Sequence, residues 1–174
     1  MKKKFLIMLA VALLAVLVVL PATASASITL TTKEMKVVSL INQIRADAGL
    51  AELTVKPSLV RAARAHSAEM GAKQYFGHDS LNGDSFAKRL VNHGYVKDGY
   101  RVWKAGENVA WGSGLFSTPE IVVDNGMHSD GHRAVILTKS FRNIGIGVKQ
   151  CEDGFGGCTD PVFFFTLDLG RRVK

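Results

Sequence analysis

The spacing of apolar residues changes along this chain, and that change restricts the fold more than any other feature of the sequence. In the first two thirds, apolar side chains recur every three or four positions, as they do on one face of a helix. In the last third they alternate with other residues, at 144–148 and again at 163–169. Helices followed by strands indicate an α+β fold rather than a parallel array of alternating strands and helices.

Capping residues locate several of the predicted helices. Thr31 and Glu34 have the spacing of a capping box, and the apolar residues after them keep helical spacing until Gly49. Pro57 suits the first turn of a second helix. Three further short helices are predicted to begin near Phe86, Pro119 and Gly131. The run 102–111 is strand-like or extended, and its conformation stays open.

The two alternating segments near the C-terminal end predict an antiparallel hairpin. In the second segment, Phe165, Leu167 and Leu169 share one face and are predicted to be core, while Phe164 lies on the opposite face. We therefore expect three to five helices packed on a small antiparallel sheet.

The first 26 residues have the organisation of a secretory signal peptide. Three lysines at 2–4 precede an uncharged apolar run at 5–20, and Ala24-Ser25-Ala26 is typical of a cleavage site. We expect cleavage after Ala26 and export to the periplasm or the medium. An uncleaved anchor is the alternative, although the run is short for a transmembrane helix, which needs roughly 20 apolar residues. The mature chain is predicted to have no membrane span.

The rest of the chain is interpreted as a lead-in at 27–36 and a single domain at 37–174, a length that suits one core. Three of the 22 basic residues and none of the 15 acidic residues lie in 1–26. The net charge is therefore +7 for the full chain and +4 for residues 27–174. Nucleic acid is a poor partner for an exported protein. The mild basic surplus favours solubility or contact with anionic cell-surface polymers.

Cys151 and Cys158 flank a turn-rich loop. Because exported proteins meet an oxidising environment, the pair is predicted to form a disulfide that stabilises the fold by roughly 2.5 kcal/mol. A redox dithiol is the alternative, although the spacing is not that of a C-x-x-C motif.

The sequence contains no G-x-S-x-G or H-E-x-x-H motif and no nucleotide-binding fingerprint. Of its five histidines, His66 lies on the apolar face of the second predicted helix and is interpreted as a hydrogen-bonded core residue. His128 and His132 have the i, i+4 spacing of a chelating pair. A helix start at Asp130 between them argues against that geometry.

Three short blocks resemble a known family. Tyr75-Phe76-Gly77-His78, Gly106-Glu107-Asn108-Val109-Ala110-Trp111 and Gly131-His132-Arg133 are similar to the signature blocks of the CAP superfamily, in its bacterial SCP-domain branch. Supporting matches include Asn42-x-x-Arg45, Ala65-His66-Ser67-x-x-Met70, Phe86-x-x-Arg89 and Ile144-Gly145-Ile146-Gly147-Val148. The resemblance extends from about Val37 to Gly170 and rests on the order and spacing of the blocks together.

This resemblance implies an α-β-α sandwich with a surface cavity that is lined by two histidines and two acidic residues. His78, Glu107 and His132 match three of these four positions. The fourth falls on Ser129, where many relatives carry Glu, and Gly126 occupies a position where Trp is common.

Such a cluster supports several kinds of chemistry. Two imidazoles and the Glu107 carboxylate form a candidate metal site for Zn²⁺ or another divalent cation. His78, Glu107, His132 and Ser129 are also candidates for general acid–base catalysis. The third interpretation is a purely structural hydrogen-bond network, in which Asn108 also takes part.

The resemblance implies a binding module for a small ligand, a lipid or a divalent cation, and a partner protein is a further possibility. The alternatives are a peptidase-like hydrolase and a basic envelope or matrix protein that holds a cell-surface polymer. The missing hydrolase motifs and the incomplete acid pair favour the binding module over an enzyme.

Overall fold

The computed structural model describes residues 27–174, so the predicted signal peptide lies outside the described residues. Five helices and four strands follow one another in this range. In chain order they are α1 (Thr32–Asp47), β1 (Thr54–Val55), α2 (Pro57–Lys73), α3 (Phe86–Asn92), β2 (Val102–Ser113), α4 (Pro119–Met127), α5 (Asp130–Ile136), β3 (Asn143–Cys151) and β4 (Val162–Val173). A 3-10 turn at Gly114–Ser117 joins β2 to α4. Within 27–174, no helix combines the length and the apolar character needed to cross a bilayer.

The strands form one sheet in the order β1-β3-β4-β2. The predicted antiparallel hairpin is confirmed, because β3 pairs with β4 from Asn143–Gly170 to Cys151–Val162. The undecided run at 102–111 is strand β2, which pairs antiparallel with β4 along its whole length. The two-residue strand β1 pairs parallel with β3, so the sheet is mixed rather than wholly antiparallel. Two residues are too few to show a periodic pattern, which is why the sequence analysis missed this strand.

Helices cover both faces of the sheet, as the family resemblance implies. On one face, Leu59 of α2 and Leu90 of α3 form a buried cluster that Trp103 of β2 packs against. On the other face, buried residues of α1, α4 and α5 pack against Phe165, Leu167 and Leu169. The predicted burial of Phe165 is confirmed, and Phe164 on the opposite face is also fully buried.

Two glycines let α2 lie directly on strand β3. A Cβ atom at Gly145 would stand 2.3 Å from the Leu59 backbone, and one at Gly147 would stand 2.3 Å from the Ala63 backbone. No side chain fits at these distances, so the alternation of apolar residues with glycine reflects the close approach of a helix.

The predicted start of the first helix is confirmed. Glu34 N donates to Thr31 Oγ1 and Thr31 N donates to Glu34 Oε2, which completes the capping box. Helix α1 begins at Thr32, within the segment predicted as a lead-in. The helix is followed by Gly49 at φ +68°, a left-handed conformation that favours glycine.

The two cysteines are free thiols in this structure, so the predicted Cys151–Cys158 disulfide is not formed. Each sulfur has a different neighbour. Cys151 Sγ lies 3.7 Å from the carbonyl oxygen of Gly71 in α2, whereas Cys158 Sγ lies 3.4 Å from Ser113 Oγ at the end of β2. The loop between them turns back on itself through a Phe155–Cys158 bridge.

Candidate functional site

A cavity of about 740 Å³ opens between the sheet and the layer of α1, α4 and α5. Its floor consists of buried apolar side chains, among them Val37, Ile41, Ile136, Ile146 and Phe165. More exposed side chains surround the opening, among them Phe76, Trp111, Phe116 and His78. The site therefore combines an apolar interior with a mixed aromatic and polar rim.

A loop between α2 and α3 carries His78 to this rim, and two side chains of α2, His66 and Glu69, hold the loop in place. His66 Nε2 lies 2.8 Å from the Gly77 carbonyl oxygen and therefore carries the proton of the ring. Glu69 accepts hydrogen bonds from the Tyr75 hydroxyl and the Leu81 amide. Burial lowers the pKa of His66, and the nearby Arg89 lowers it further. The interpretation of His66 as a hydrogen-bonded core residue is confirmed.

Arg89 of α3 connects the same loop to the sheet. Its guanidinium donates to the His78 carbonyl oxygen at 3.1 Å and to Ser80 Oγ at 3.0 Å. It also forms a buried ion pair with Glu107 of β2. In the sequence, Arg89 stood out only as part of a family block. In the structure, its buried guanidinium joins the loop to the sheet through three partners.

His78 and Glu107 form the central polar pair of the site. His78 Nδ1 donates to Glu107 Oε1 at 3.0 Å, and Arg89 occupies the other carboxylate oxygen. The Glu107 side chain is inaccessible to solvent, whereas the His78 side chain is 53% exposed. Because Glu107 holds the proton on Nδ1, Nε2 of neutral His78 carries a free lone pair.

His132 of α5 lines the same cavity. Burial lowers its pKa, and the proximity of His78 lowers it further, so both effects favour the neutral imidazole. Asn108 of β2 donates to the His132 carbonyl oxygen at 3.0 Å, in agreement with the structural role expected of this amide. His128 ends α4 and bonds to the Asp124 carbonyl oxygen, so it does not face His132 across one helix turn.

Ser129 also lines the cavity, but its hydroxyl forms no hydrogen bond with any described residue. Gly126 of α4 is another lining residue. A Cβ atom at Gly126 would lie 3.8 Å from Ile136 and 3.9 Å from His132, which is ordinary contact. This glycine therefore leaves space that a larger side chain would fill.

The predicted metal site at His78, Glu107 and His132 is not assembled. Within residues 27–174, no group of three His, Cys, Asp or Glu side chains has the arrangement needed to hold a metal ion. The Glu107 side chain is inaccessible to solvent, is held by His78 on one oxygen and Arg89 on the other, and does not line the cavity with the two histidines.

Asp168, a buried acid directly opposite Glu107 in the β2–β4 pair, was not among the site residues predicted from the sequence. Asp168 is completely buried, and neither carboxyl oxygen has a hydrogen-bond partner among the described residues. Burial raises its pKa well above the usual range, and the neighbouring Glu107 raises it further. Because residues alternate along a strand, position 168 was expected on the face of the sheet opposite to Leu167 and Leu169. That pattern does not tell a buried face from a solvated one.

Comparison with known proteins agrees with this architecture. A family model for the cysteine-rich secretory protein family, CAP, matches residues 38–169. The chain belongs to this family. Among curated relatives, protein YkwD of Bacillus subtilis is 39% identical over 128 residues, which are 74% of this chain and 47% of YkwD. The membrane protein YlbC of the same organism is 32% identical over 69% of this chain and 32% of its own length. The chain thus spans less than half the length of these two relatives.

Solved structures show the same CAP fold. An extracellular protein of Bacillus anthracis that contains an SCP domain aligns with a TM-score of 0.62 and 25% identity, over 85% of this chain and 45% of that protein. An outer surface protein of Borrelia burgdorferi aligns with a TM-score of 0.63 and 20% identity, over 83% of this chain and 96% of that protein. The second likeness concerns the fold alone.

Proposed function

We propose that this CAP domain is a binding module that takes the apolar part of a small amphipathic or lipid-like molecule into its cavity. The cavity itself is the observation that supports this proposal. Its volume of about 740 Å³ lies in the range of small-molecule sites, roughly 300–1,000 Å³. The floor offers aliphatic and aromatic surface without a charged group among the buried lining residues, so transfer of an apolar chain out of water is favourable.

Polar groups at one side of the cavity would hold the head group of the ligand. His78 offers a lone pair on Nε2, and the neutral ring of His132 lies nearby. Ser129 and Asn125 add a hydroxyl and an amide to the lining. This set suits a hydroxyl head group, which both donates and accepts hydrogen bonds, and the Ser129 hydroxyl and Asn125 amide can also donate to a carboxylate.

Export is part of the proposal. The order of lysines, apolar run and small residues in 1–26 is typical of a cleaved signal peptide. The similar Bacillus anthracis and Borrelia burgdorferi proteins are described as extracellular and as an outer surface protein. An exported module of this kind meets its ligand outside the cytoplasm.

The binding experiment uses the two tryptophans of the chain. Trp111 lines the cavity, whereas Trp103 packs with Tyr95 beside α3. In a Trp103→Phe background, Trp111 is the only tryptophan, and energy transfer from it to cis-parinaric acid reports binding of a fatty acid. We expect saturable binding of this probe to the mature protein and its displacement by palmitic acid.

A matched pair of variants tests whether the probe occupies the cavity. Gly126→Leu introduces a side chain into the cavity, so the dissociation constant should rise at least tenfold. Gly131→Leu is the control, because position 131 does not line the cavity and has open space around it. Equal affinity in both variants, or no saturable binding to the parent protein, would refute the proposal.

The Glu107–His78 pair favours hydrolysis as a second candidate function. A buried carboxylate that orients an imidazole prepares the exposed Nε2 to act as a general base on water. Ser129 forms no hydrogen bond with either cavity histidine, so the described geometry does not activate it as a nucleophile. Release of product from a panel of peptide and ester substrates, abolished in His78→Ala but not in Ser129→Ala, would support this candidate over simple binding.

A further inference from the structure

Six basic residues gather at one end of the sheet, away from the acidic hairpin loop. This cationic end comprises Arg101, Lys104, Lys139, Arg142, Arg171 and Arg172. Backbone contacts bring its three segments together. Lys104 lies opposite Arg171 in the β2–β4 pair, Arg142 N donates to the Gly170 carbonyl oxygen, and the Arg171 guanidinium reaches the Ser140 carbonyl oxygen at 3.5 Å.

None of these six side chains forms an ion pair with an acidic residue among residues 27–174. Elsewhere in the described residues, four basic side chains have a carboxylate partner, namely Lys36, Arg64, Lys88 and Arg89. The segments 101–104, 139–142 and 171–172 contain no acidic residue. Positive charge is therefore concentrated at this end and not neutralised by the fold.

The cationic end is unfavourable for the isolated domain. Lys104 and Arg171 are direct cross-strand neighbours, and like charges in that position destabilise a sheet. Repulsion of this kind increases where several like charges lie close together. A polyanion that covers this surface would neutralise the repelling charges. Relief of the repulsion would then add to the free energy of binding.

Several of the arginines are already held in place. The Arg172 guanidinium lies 4.3 Å from the centre of the Tyr95 ring and 4.5 Å from that of Tyr100. Arg142 donates to the carbonyl oxygens of Lys139 and Phe141, both at 2.7 Å. Side chains ordered in this way lose less conformational entropy when they bind a ligand.

The cationic end and the acidic hairpin loop lie at opposite ends of the sheet. Glu152, Asp153 and Asp160 lie in the loop that joins β3 to β4, at the opposite end of the strands. Twelve residues of β2 separate the two ends, a distance of about 36 Å. The 3-10 turn with the cavity residue Phe116 follows the far end of β2. A polyanion on the cationic end therefore lies away from the Phe116 side of the cavity opening.

We propose that the cationic end binds a linear polyanion with phosphodiester groups and so holds the domain on an anionic polymer. Four of its six residues are arginines, whose planar guanidinium matches the geometry of phosphate oxygens. Lys104 and Arg171 lie on one face of the sheet and Arg172 lies on the other, so the charges surround the end of the sheet. Such a charged end suits a hydrated polymer rather than the interior of a membrane. This inference is independent of the ligand in the cavity.

The test compares two charge-matched variants of the mature protein, with soluble poly(glycerol phosphate) as the probe. Arg101→Gln/Lys104→Gln removes two exposed charges from the cationic end that form no hydrogen bond or ion pair with described residues. Lys73→Gln/Lys149→Gln removes two exposed charges elsewhere. Isothermal titration at several salt concentrations gives the association constant and its salt slope.

We expect the parent protein to bind the polymer with an association constant that falls linearly with salt on a double-logarithmic plot. Arg101→Gln/Lys104→Gln should weaken binding by on the order of tenfold and reduce the slope by roughly 1 to 2. Lys73→Gln/Lys149→Gln should change the association constant less than threefold. The charge-retaining variant Arg101→Lys/Lys104→Arg should bind like the parent, which separates loss of charge from damage to the fold.

Three results would overturn the proposal. The first is no binding of the parent protein to the polymer at low salt. The second is equal weakening in both glutamine variants, which would assign binding to net charge instead of this surface. The third is tighter binding to vesicles of phosphatidylglycerol and phosphatidylcholine than to the polymer, which would assign the surface to a membrane.

Discussion

The two faces of the β-sheet pack against the helices in different ways, although the same strands contribute to both. On the face covered by α2 and α3, helix and sheet are in close contact, and polar groups such as Arg89, Glu107 and Asp168 are buried. On the face covered by α1, α4 and α5, the sheet packs against a mainly apolar cluster, although Arg45 of α1 is also buried, and a cavity of about 740 Å³ remains. One face thus supplies rigidity and the other supplies space.

The polar network and the cavity meet at His78. Strand β2 lies at the edge of the sheet, so a loop beside it can reach both faces. His78 lines the cavity on one face and bonds to Glu107, whose partner Arg89 belongs to the other. The close-packed face therefore orients the polar group that the open face presents to a ligand.

The largest expected effect comes from the contact between α2 and β3. Gly147→Ala places a Cβ atom 2.3 Å from the backbone of Ala63, which has no flexible side-chain atom to move aside. The helix must shift, and we expect a loss of at least about 3 kcal/mol in the free energy of unfolding. Urea denaturation measures this, with Gly131→Ala as the control. A stable Gly147→Ala protein would show that this face is not close-packed.

Alanine substitutions of two neighbouring phenylalanines in β4 allow a direct comparison of the two faces. Phe164→Ala removes a fully buried ring from the α2 face and should cost about 3–5 kcal/mol. Phe165→Ala removes a ring that already borders the cavity, so fewer contacts are lost and the cost should be nearer 3 kcal/mol. Denaturation midpoints of both variants test the order. A larger cost for Phe165→Ala would contradict a cavity behind its ring.

Asp168→Asn tests the buried acid of the close-packed face. The folded state keeps Asp168 protonated because its pKa is raised, whereas the unfolded carboxyl releases its proton above its ordinary pKa near 3.9. The unfolded state then binds fewer protons, so this residue makes folding less favourable as pH rises from about 4 towards the raised pKa.

The amide cannot ionise, and we therefore expect Asp168→Asn to stabilise the protein by about 1–3 kcal/mol at neutral pH. This gain in stability over the parent should shrink as pH falls to 4, because the Asp168 carboxyl then becomes protonated in the unfolded parent as well as in the folded one. Thermal unfolding of both proteins across this pH range provides the measurement. A stability difference that does not change with pH would mean that Asp168 is ionised in the folded protein.

Gly126→Ala should produce the smallest effect, and one of opposite sign to the loss at Gly147. The new methyl group meets Ile136 and His132 at ordinary contact distances, and alanine is the better helix former. We expect stabilisation of about 0.5–1 kcal/mol. Differential scanning calorimetry resolves a change of this size, and destabilisation would indicate that α4 cannot accept a side chain towards the cavity.

Local sequence signals were sufficient for much of the fold. The capping box at Thr31 and Glu34, the proline that starts α2 and the alternation in β3 and β4 each depend on residues close together in the chain. Such signals act through neighbouring backbone geometry, so they can be recognised without knowledge of the rest of the structure. The three family blocks likewise brought attention to His78 and His132, which line one cavity.

Other features depend on which residues from distant segments come into contact. Two residues of β1 join the sheet only because β3 offers an unpaired edge. Arg89 and Glu107 are far apart in sequence, and their ion pair occupies the carboxylate that was expected to bind a metal. The free volume at Gly126 exists only because α4, α5 and the sheet leave it unfilled.

The sequence by itself thus determined the helices, the C-terminal hairpin and the residues that reach the site, because short-range spacing encodes the backbone conformation and the buried face. The tertiary structure alone decided that Asp168 is buried, that Glu107 is already bound on both oxygens and that a cavity remains under α1, α4 and α5. Burial, ion pairing and empty volume are properties of surfaces brought together by folding, and no local pattern of residues specifies them.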